Sequence, residues 1–162
     1  MSCNPGYTNE DGTCYKYHPD KQTWDGALFQ SAKENATLIS FHKTSEEVFV
    51  QKLVPTGKTG LIWTGLNDLI TEGTYTWSDG TSVEYTSWKV NEPTGSREDC
   101  VGVEMSSYGT MSDAPCSKPH NYISRQPLEG KGFTLGLLIV FDINYFYNRS
   151  KLNILFCRNH RS

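Results

Sequence analysis

The spacing of apolar residues changes character along this chain, and each change predicts a different element. Over residues 24–35, Ala27, Leu28 and Ser31 fall on one helical face, Thr23 stands at a capping position and Asp25 lies in the first turn. A second helix is expected over 44–53. Thr44 and Glu47 open it at capping-box spacing, Val48, Val50 and Leu53 supply its apolar contacts, and Pro55 and Gly57 end it. From residue 61 the runs shorten to strand length, at 61–66, 75–77, 100–104 and 121–124. Between them, residues 67–99 are dense in Gly, Asp, Asn, Ser and Pro. A stretch that long within a domain is functional or disordered, and Tyr75, Trp77, Tyr85 and Trp88 argue for a packed, ordered loop. Past residue 126 a linker-like segment, 127–132, leads into a tail with neither helical nor alternating pattern.

The length of 162 residues fits one domain, 1–126, with a C-terminal extension of uncertain structure, 127–162. A net charge of −3 gives no basic face for nucleic acid. The longest apolar stretch, 133–141, is about half of the roughly 20 residues a membrane-spanning helix needs. Five cysteines include no CxxC pair, so a zinc or thioredoxin-type motif has no support. Cys3 and Cys14 flank a turn-rich stretch (Gly6, Asn9, Asp11, Gly12) that reads as a hairpin to be stapled. Cys100 and Cys116 enclose 15 residues, and closing such a loop contributes about 3 kcal/mol in the chain-entropy model. Two plausible pairs and one odd cysteine, Cys157, point to an oxidising compartment; the alternative is buried thiols in a cytosolic chain. The start shows no basic-then-apolar leader, so extracellular export is expected to use a leader outside this sequence. Asn35-Ala36-Thr37 and Asn148-Arg149-Ser150 have the form of glycosylation sequons. His18, His42, His120 and His160 lie in no metal-ligand spacing and beside no nucleophile motif, so a binding protein is expected and not an enzyme.

In their order, these residues resemble the C-type lectin domains. The resemblance runs through Cys14-Tyr15-Lys16-Tyr17, Trp24 with Ala27, the segment from Asn35 to Ser40, and Trp63-Thr64-Gly65-Leu66-Asn67-Asp68. It continues through Glu72-Gly73, Trp77-Ser78-Asp79-Gly80, Trp88, Glu92-Pro93, Glu98-Asp99-Cys100-Val101, Asp113, Cys116 and Tyr122-Ile123. It implies an α+β, C-type lectin-like fold: two helices flanking small antiparallel sheets, with a long ordered loop region. The family order supports pairing Cys3 with Cys14 and Cys100 with Cys116. Two positions that the family cross-links hold Ser31 and Ser124 here.

The same resemblance implies a calcium and sugar site at Glu92, Thr94, Glu98, Ser112 and Asp113, with an auxiliary ion site at Asp68 and Glu72 that shares Glu98. Calcium takes six to eight oxygen ligands. Three carboxylates of the main set are present, but Thr94 and Ser112 stand where the family has amides, and a hydroxyl lacks the carbonyl that an amide offers a hard cation. Met111 replaces a tryptophan under the loop, and Gly95 leaves the auxiliary set incomplete. The expectation is an extracellular carbohydrate-recognition domain for glycans or glycoproteins, mannose-type among them, acting through a weakened Ca2+ site. The alternative is a lectin-like domain that binds a protein partner without calcium.

Overall fold

The computed structural model describes residues 2–95, 97–105 and 109–127; residues 128–162, most of the expected extension and Cys157 with it, lie outside the described residues. In chain order the described elements are β1 (Thr8–Glu10), β2 (Thr13–Gln22), α1 (Trp24–Lys33), β3 (Thr37–Leu38), α2 (Thr44–Leu53), β4 (Leu61–Asn67), β5 (Thr76–Trp77), β6 (Cys100–Glu104), β7 (Thr110–Ala114) and β8 (His120–Pro127). The α+β class is as expected, but the strands do not form separate antiparallel sheets. They join in the order β1-β2-β8-β4-β6-β7, with β3 added on β8 and β5 on β4. The join is a parallel pairing of β4 with β8, Ile62 opposite Asn121 and Trp63 opposite Tyr122. Parallel neighbours need a long crossover, so no local turn signal announces them.

Helix α1 forms for the reasons legible in its sequence. The Thr23 hydroxyl accepts from the Gly26 N–H at 3.3 Å, relieving one of the unpaired donors at the helix start. Trp24, Ala27 and Ser31 are buried, and the Trp24 indole N–H donates to the Thr64 carbonyl of β4 at 2.8 Å. The helix stops at Lys33, two residues earlier than expected, and Asn35 takes a left-handed φ of 54°. Helix α2 has the expected bounds but not the expected capping box. Lys43 is its N-cap and makes no side-chain cap bond. Glu46 reaches back to the His42 N–H at 2.7 Å, which leaves Glu47 free to turn inward, where it is buried. Val50 is buried, whereas Val48 faces out at 45% exposure.

Disulfides Cys3–Cys14 and Cys100–Cys116 form as expected, with Cα separations of 5.6 and 5.1 Å. Ser31 and Ser124 are both fully buried. The Ser31 hydroxyl has no hydrogen-bond partner, whereas Ser124 lies within a polar chain. Tyr7 OH donates to Glu34 Oε2 at 2.8 Å, and Glu34 also accepts from Lys16 Nζ at 2.7 and 2.9 Å. With the Tyr7 proton committed, Ser124 Oγ donates to Tyr7 at 2.9 Å and accepts from His18 Nε2 at 2.7 Å. His18 stacks flat on Tyr122, centroids 4.2 Å apart. The chain links the N-terminal hairpin, the end of α1 and β8.

Burial of His18 disfavours its imidazolium and lowers its pKa from 6.5 to about 4; the Lys16 charge acts in the same direction, while Glu34 and Asp20 oppose it. Between those values the unfolded chain binds a proton that the folded chain refuses, so this stability is complete above 6.5 and lost as pH falls towards 4. His120, also lowered by burial, adds in the same direction. We expect the thermal midpoint to fall across that window and to fall less in His18→Gln, whose amide can still donate to Ser124. Melting curves showing equal falls in both proteins would assign the acid sensitivity to other groups.

Candidate functional site

Residues 68–99 have little regular structure, so side chains must satisfy and anchor their backbone. At the start, Trp77 is buried edge-on to Phe41, centroids 6.1 Å apart. The Ser78 N–H donates to the Gly65 carbonyl at 2.8 Å. A Cβ at residue 65 would stand 2.5 Å from Ser78 Oγ, so glycine is required for that approach. Asp79, also buried, accepts from Ser40 Oγ at 2.5 Å and from the Thr81 N–H and hydroxyl at 3.0 and 2.6 Å. Arg125 of β8 donates to Ser40 Oγ and stands 3.9 Å from Asp79.

Midway along the loop, the inward-turned Glu47 of α2 accepts from Tyr85 OH at 2.5 Å and from Ser87 Oγ at 2.6 Å. The Met111 N–H donates to the Ser87 carbonyl at 2.7 Å, and the Lys89 N–H donates to the Met111 carbonyl at 2.9 Å. Met111, standing where the resemblance has a tryptophan, is fully buried and holds the loop through the backbone on both sides. β7 had no signal in the sequence: its residues Thr-Met-Ser-Asp-Ala carry one large apolar side chain, and its register is set by pairing with β6.

That register places Asp113 inward beneath the far end of the loop. Its carboxylate accepts from the Thr94 N–H at 3.1 and 2.9 Å and from the Gly95 N–H at 3.1 Å. Thr94 Oγ1 donates to Glu98 Oε2 at 2.5 Å, and Ser112 Oγ lies 3.4 Å from the Asp113 carbonyl. Glu92, which precedes a cis peptide bond to Pro93, is hydrogen-bonded to Asp113 through its carboxyl. That bond, followed by burial and the Asp113 charge, raises the Glu92 pKa. Burial would raise Asp113 as well, but the Glu92 bond and the Gly95 and Thr94 N–H groups outweigh it and hold Asp113 below the usual carboxylate range. The pair is thus driven apart, Glu92 upward and Asp113 downward. Glu92 Oε2 is buried without a partner.

Of the auxiliary set, Asp68 is buried; its Oδ2 accepts from the Gly73 N–H at 2.8 Å and its Oδ1 has no partner. Glu72 is raised by partial desolvation and by Asp68, Asp99 and Asp113. Asp99 was not among the expected ligands. Burial and the charges of Asp68 and Asp113 raise it, and its carbonyl accepts from the Asp68 N–H at 3.1 Å. Its position beside Glu98 was the only sequence signal it offered. The carboxylates thus share one negative field. Among the described residues, however, no group of three or more His, Cys, Asp or Glu side chains is gathered closely enough to hold a metal ion.

A family model described as Lectin C-type domain matches residues 5–125. The lectoxin-Lio1 C-type lectin of Erythrolamprus poecilogyrus is 33% identical over 138 residues, covering 82% of this chain and 85% of its own length. The human versican core protein is 31% identical over 75% of this chain, which spans only 4% of that protein. Among solved structures, the carbohydrate-recognition domain of the mouse scavenger receptor C-type lectin superposes with a TM-score of 0.72 at 26% identity, covering 79% of this chain and all of that one. A calcium-independent type II antifreeze protein superposes with a TM-score of 0.73 at 24% identity, covering 78% and 95%, a likeness of fold alone.

Because Glu47 anchors the loop from α2, Glu47→Ala leaves Tyr85 OH and Ser87 Oγ without their acceptor. Losing one side of a buried bonded group costs about 1–3 kcal/mol. We expect a stability loss of that order in urea unfolding, with faster proteolysis near Tyr85. Unchanged cleavage there would show that the loop is held elsewhere.

Proposed function

We propose that this chain, which belongs to the C-type lectin domain family, is an extracellular recognition domain that binds glycans through a weakened calcium site. The observation that carries this reading is the pair of buried carboxylate oxygens without partners, Glu92 Oε2 and Asp68 Oδ1. One falls in each expected ion site, and a buried carboxylate oxygen is costly unless a hydrogen bond or a cation meets it. Glu92, Glu98 and Asp113 would hold the main ion with help from the Thr94 and Ser112 hydroxyls, and Asp68 and Glu72 would serve the auxiliary position. A bound calcium ion would add coordination for adjacent sugar hydroxyls. Glu92 and Glu98 can each accept a hydrogen bond from such a hydroxyl, and the Ser112 hydroxyl can donate one. Two disulfides suit an oxidising, extracellular setting.

Catalysis has no comparable support. Among the described residues, the shorter Ser–His contact, His18 with Ser124, is buried with the serine proton committed to Tyr7, and in the longer one, Ser40 with His42, the serine donates to Asp79.

A second reading, a protein partner bound without calcium, is favoured by a different observation. Asp113 is already satisfied by the Thr94 and Gly95 N–H groups, so an ion must compete with bonds that hold the loop. Val90 and Ile70, 84% and 72% exposed, also offer apolar contacts on that loop.

A calcium titration read by thermal melting separates the two. An ion that binds only the folded state stabilises it by about 2.7 kcal/mol at a hundred times its Kd. We expect a modest rise in midpoint at millimolar calcium. Thr94→Asn with Ser112→Asn, which restores both amides, should enlarge that rise and strengthen calcium-dependent retention on mannose. No calcium shift and no retention on mannose, fucose or glucosamine, even in the double variant, would leave the protein-binding reading.

A further inference from the structure

The sequon Asn35-Ala36-Thr37 takes no part in the functions above, yet the fold gives it a distinctive place. Asn35 is exposed on the turn between α1 and β3. Its backbone N–H donates to the Ala32 carbonyl at 3.1 Å, and its φ of 54° is a left-handed conformation that asparagine tolerates better than most residues. Its side-chain amide enters no hydrogen bond among the described residues, so nothing in the fold competes for it. Residue 36 is not proline, and its alanine side chain is buried, fixing the turn beneath an outward-facing Asn35. Beside the turn an open cleft of about 300 Å³, lined by Asn4, Tyr7, Lys16, Lys33 and Glu34 as well as Asn35, leaves room and polar partners for a sugar.

We propose that Asn35 is the acceptor of an N-linked glycan when this chain passes through a secretory pathway. The donor class is an oligosaccharide linked to a lipid through diphosphate. The Asn35 Nδ2 forms a bond to the anomeric carbon of the first sugar while the bond from that carbon to the diphosphate oxygen breaks. The lipid diphosphate leaves with the electron pair, Nδ2 gives up one proton to a base of the transferring enzyme, and nothing is oxidised or reduced. Transfer precedes folding. In the folded chain Thr37 is half-buried in β3, opposite Arg125, with its hydroxyl 3.5 Å from the Arg125 carbonyl, so the sequon hydroxyl is then held by the sheet.

The position also decides what the glycan leaves free. Asn35 precedes β3, which pairs with β8, whereas Asp113 lies on β7, three strand steps further along the order β8-β4-β6-β7. Neighbouring strands are about 4.8 Å apart. A glycan at Asn35 therefore grows beside the N-terminal hairpin and leaves the loop carrying Glu92 and Glu98 accessible.

The modification rests on the extracellular part of the proposed function, and its test supplies that setting independently. The full chain, given a secretory leader and the substitution Asn148→Gln to silence the other sequon, is produced in eukaryotic cells. Secreted and retained protein are both digested with a glycan-releasing amidase in heavy-oxygen water. Peptide mass spectrometry should then find residue 35 converted to aspartate carrying one heavy oxygen. The glycan should be lost in Thr37→Val, which keeps a β-branched side chain for β3, and in Asn35→Asp, and kept in Thr37→Ser. The calcium response should be unchanged by Asn35→Asp. Unmodified Asn35 in protein from both fractions would overturn the proposal while leaving the binding function untouched, and a glycan that persists in Thr37→Val would equally refute it.

Discussion

The structure depends on anchoring a long loop whose backbone pairs with itself only in short local turns. Three carboxylates from three parts of the chain do this. Asp79 binds the loop's own Thr81 and, through Ser40, meets Arg125 of β8. Glu47 reaches in from α2 to Tyr85 and Ser87. Asp113 projects from β7 to the N–H groups of Thr94 and Gly95. Bonds to a charged acceptor are stronger than neutral ones, and in a buried setting solvent competes weakly for them. The spacing of the anchors along the loop means that no long segment is left unsupported.

One of these anchors is also a candidate ligand, and that double duty shapes the site. Asp113 holds the loop through two N–H groups and stands against Glu92, whose pKa it raises. A cation arriving there would draw on the same Asp113 oxygens that hold the loop, setting ion binding against loop anchoring. Replacing the amides by Thr94 and Ser112 tilts the balance further, because Thr94 Oγ1 spends its donor on Glu98. Asp113 and Thr94 thus already spend on the loop and on Glu98 the atoms that an ion or a sugar would have to engage.

On the opposite flank, a polar chain occupies ground that the family resemblance assigns to a covalent cross-link. Tyr7, Ser124 and His18 tie the hairpin to β8, while Glu34 and Lys16 carry the connection to the end of α1. Such a chain is conditional where a disulfide is not, since protonating His18 adds a charge to a buried setting. The hairpin's own disulfide, Cys3–Cys14, closes it locally and leaves this longer-range connection to hydrogen bonds.

The sequence by itself determined the elements whose causes are local. Thr23 and the buried face of Trp24, Ala27 and Ser31 define α1, the apolar run of β4 is a strand at any register, and the turn residues between Cys3 and Cys14 mark a hairpin. The order of short motifs also disclosed the family and which carboxylates line the loop. Only the tertiary structure decided where spatial neighbours set the outcome. Glu47 has capping-box spacing, but the unpaired hydroxyls of Tyr85 and Ser87, 38 and 40 residues away, claim its carboxylate instead. The sheet is continuous because β4 and β8 meet in parallel, which no turn foretells. β7 is a strand because β6 lies beside it, and its pairing alone turns Asp113 towards Thr94 and Gly95. Periodicity records what a residue does for its own element; a polar group's partner is fixed by distance in space, and that is set only when the chain has closed on itself.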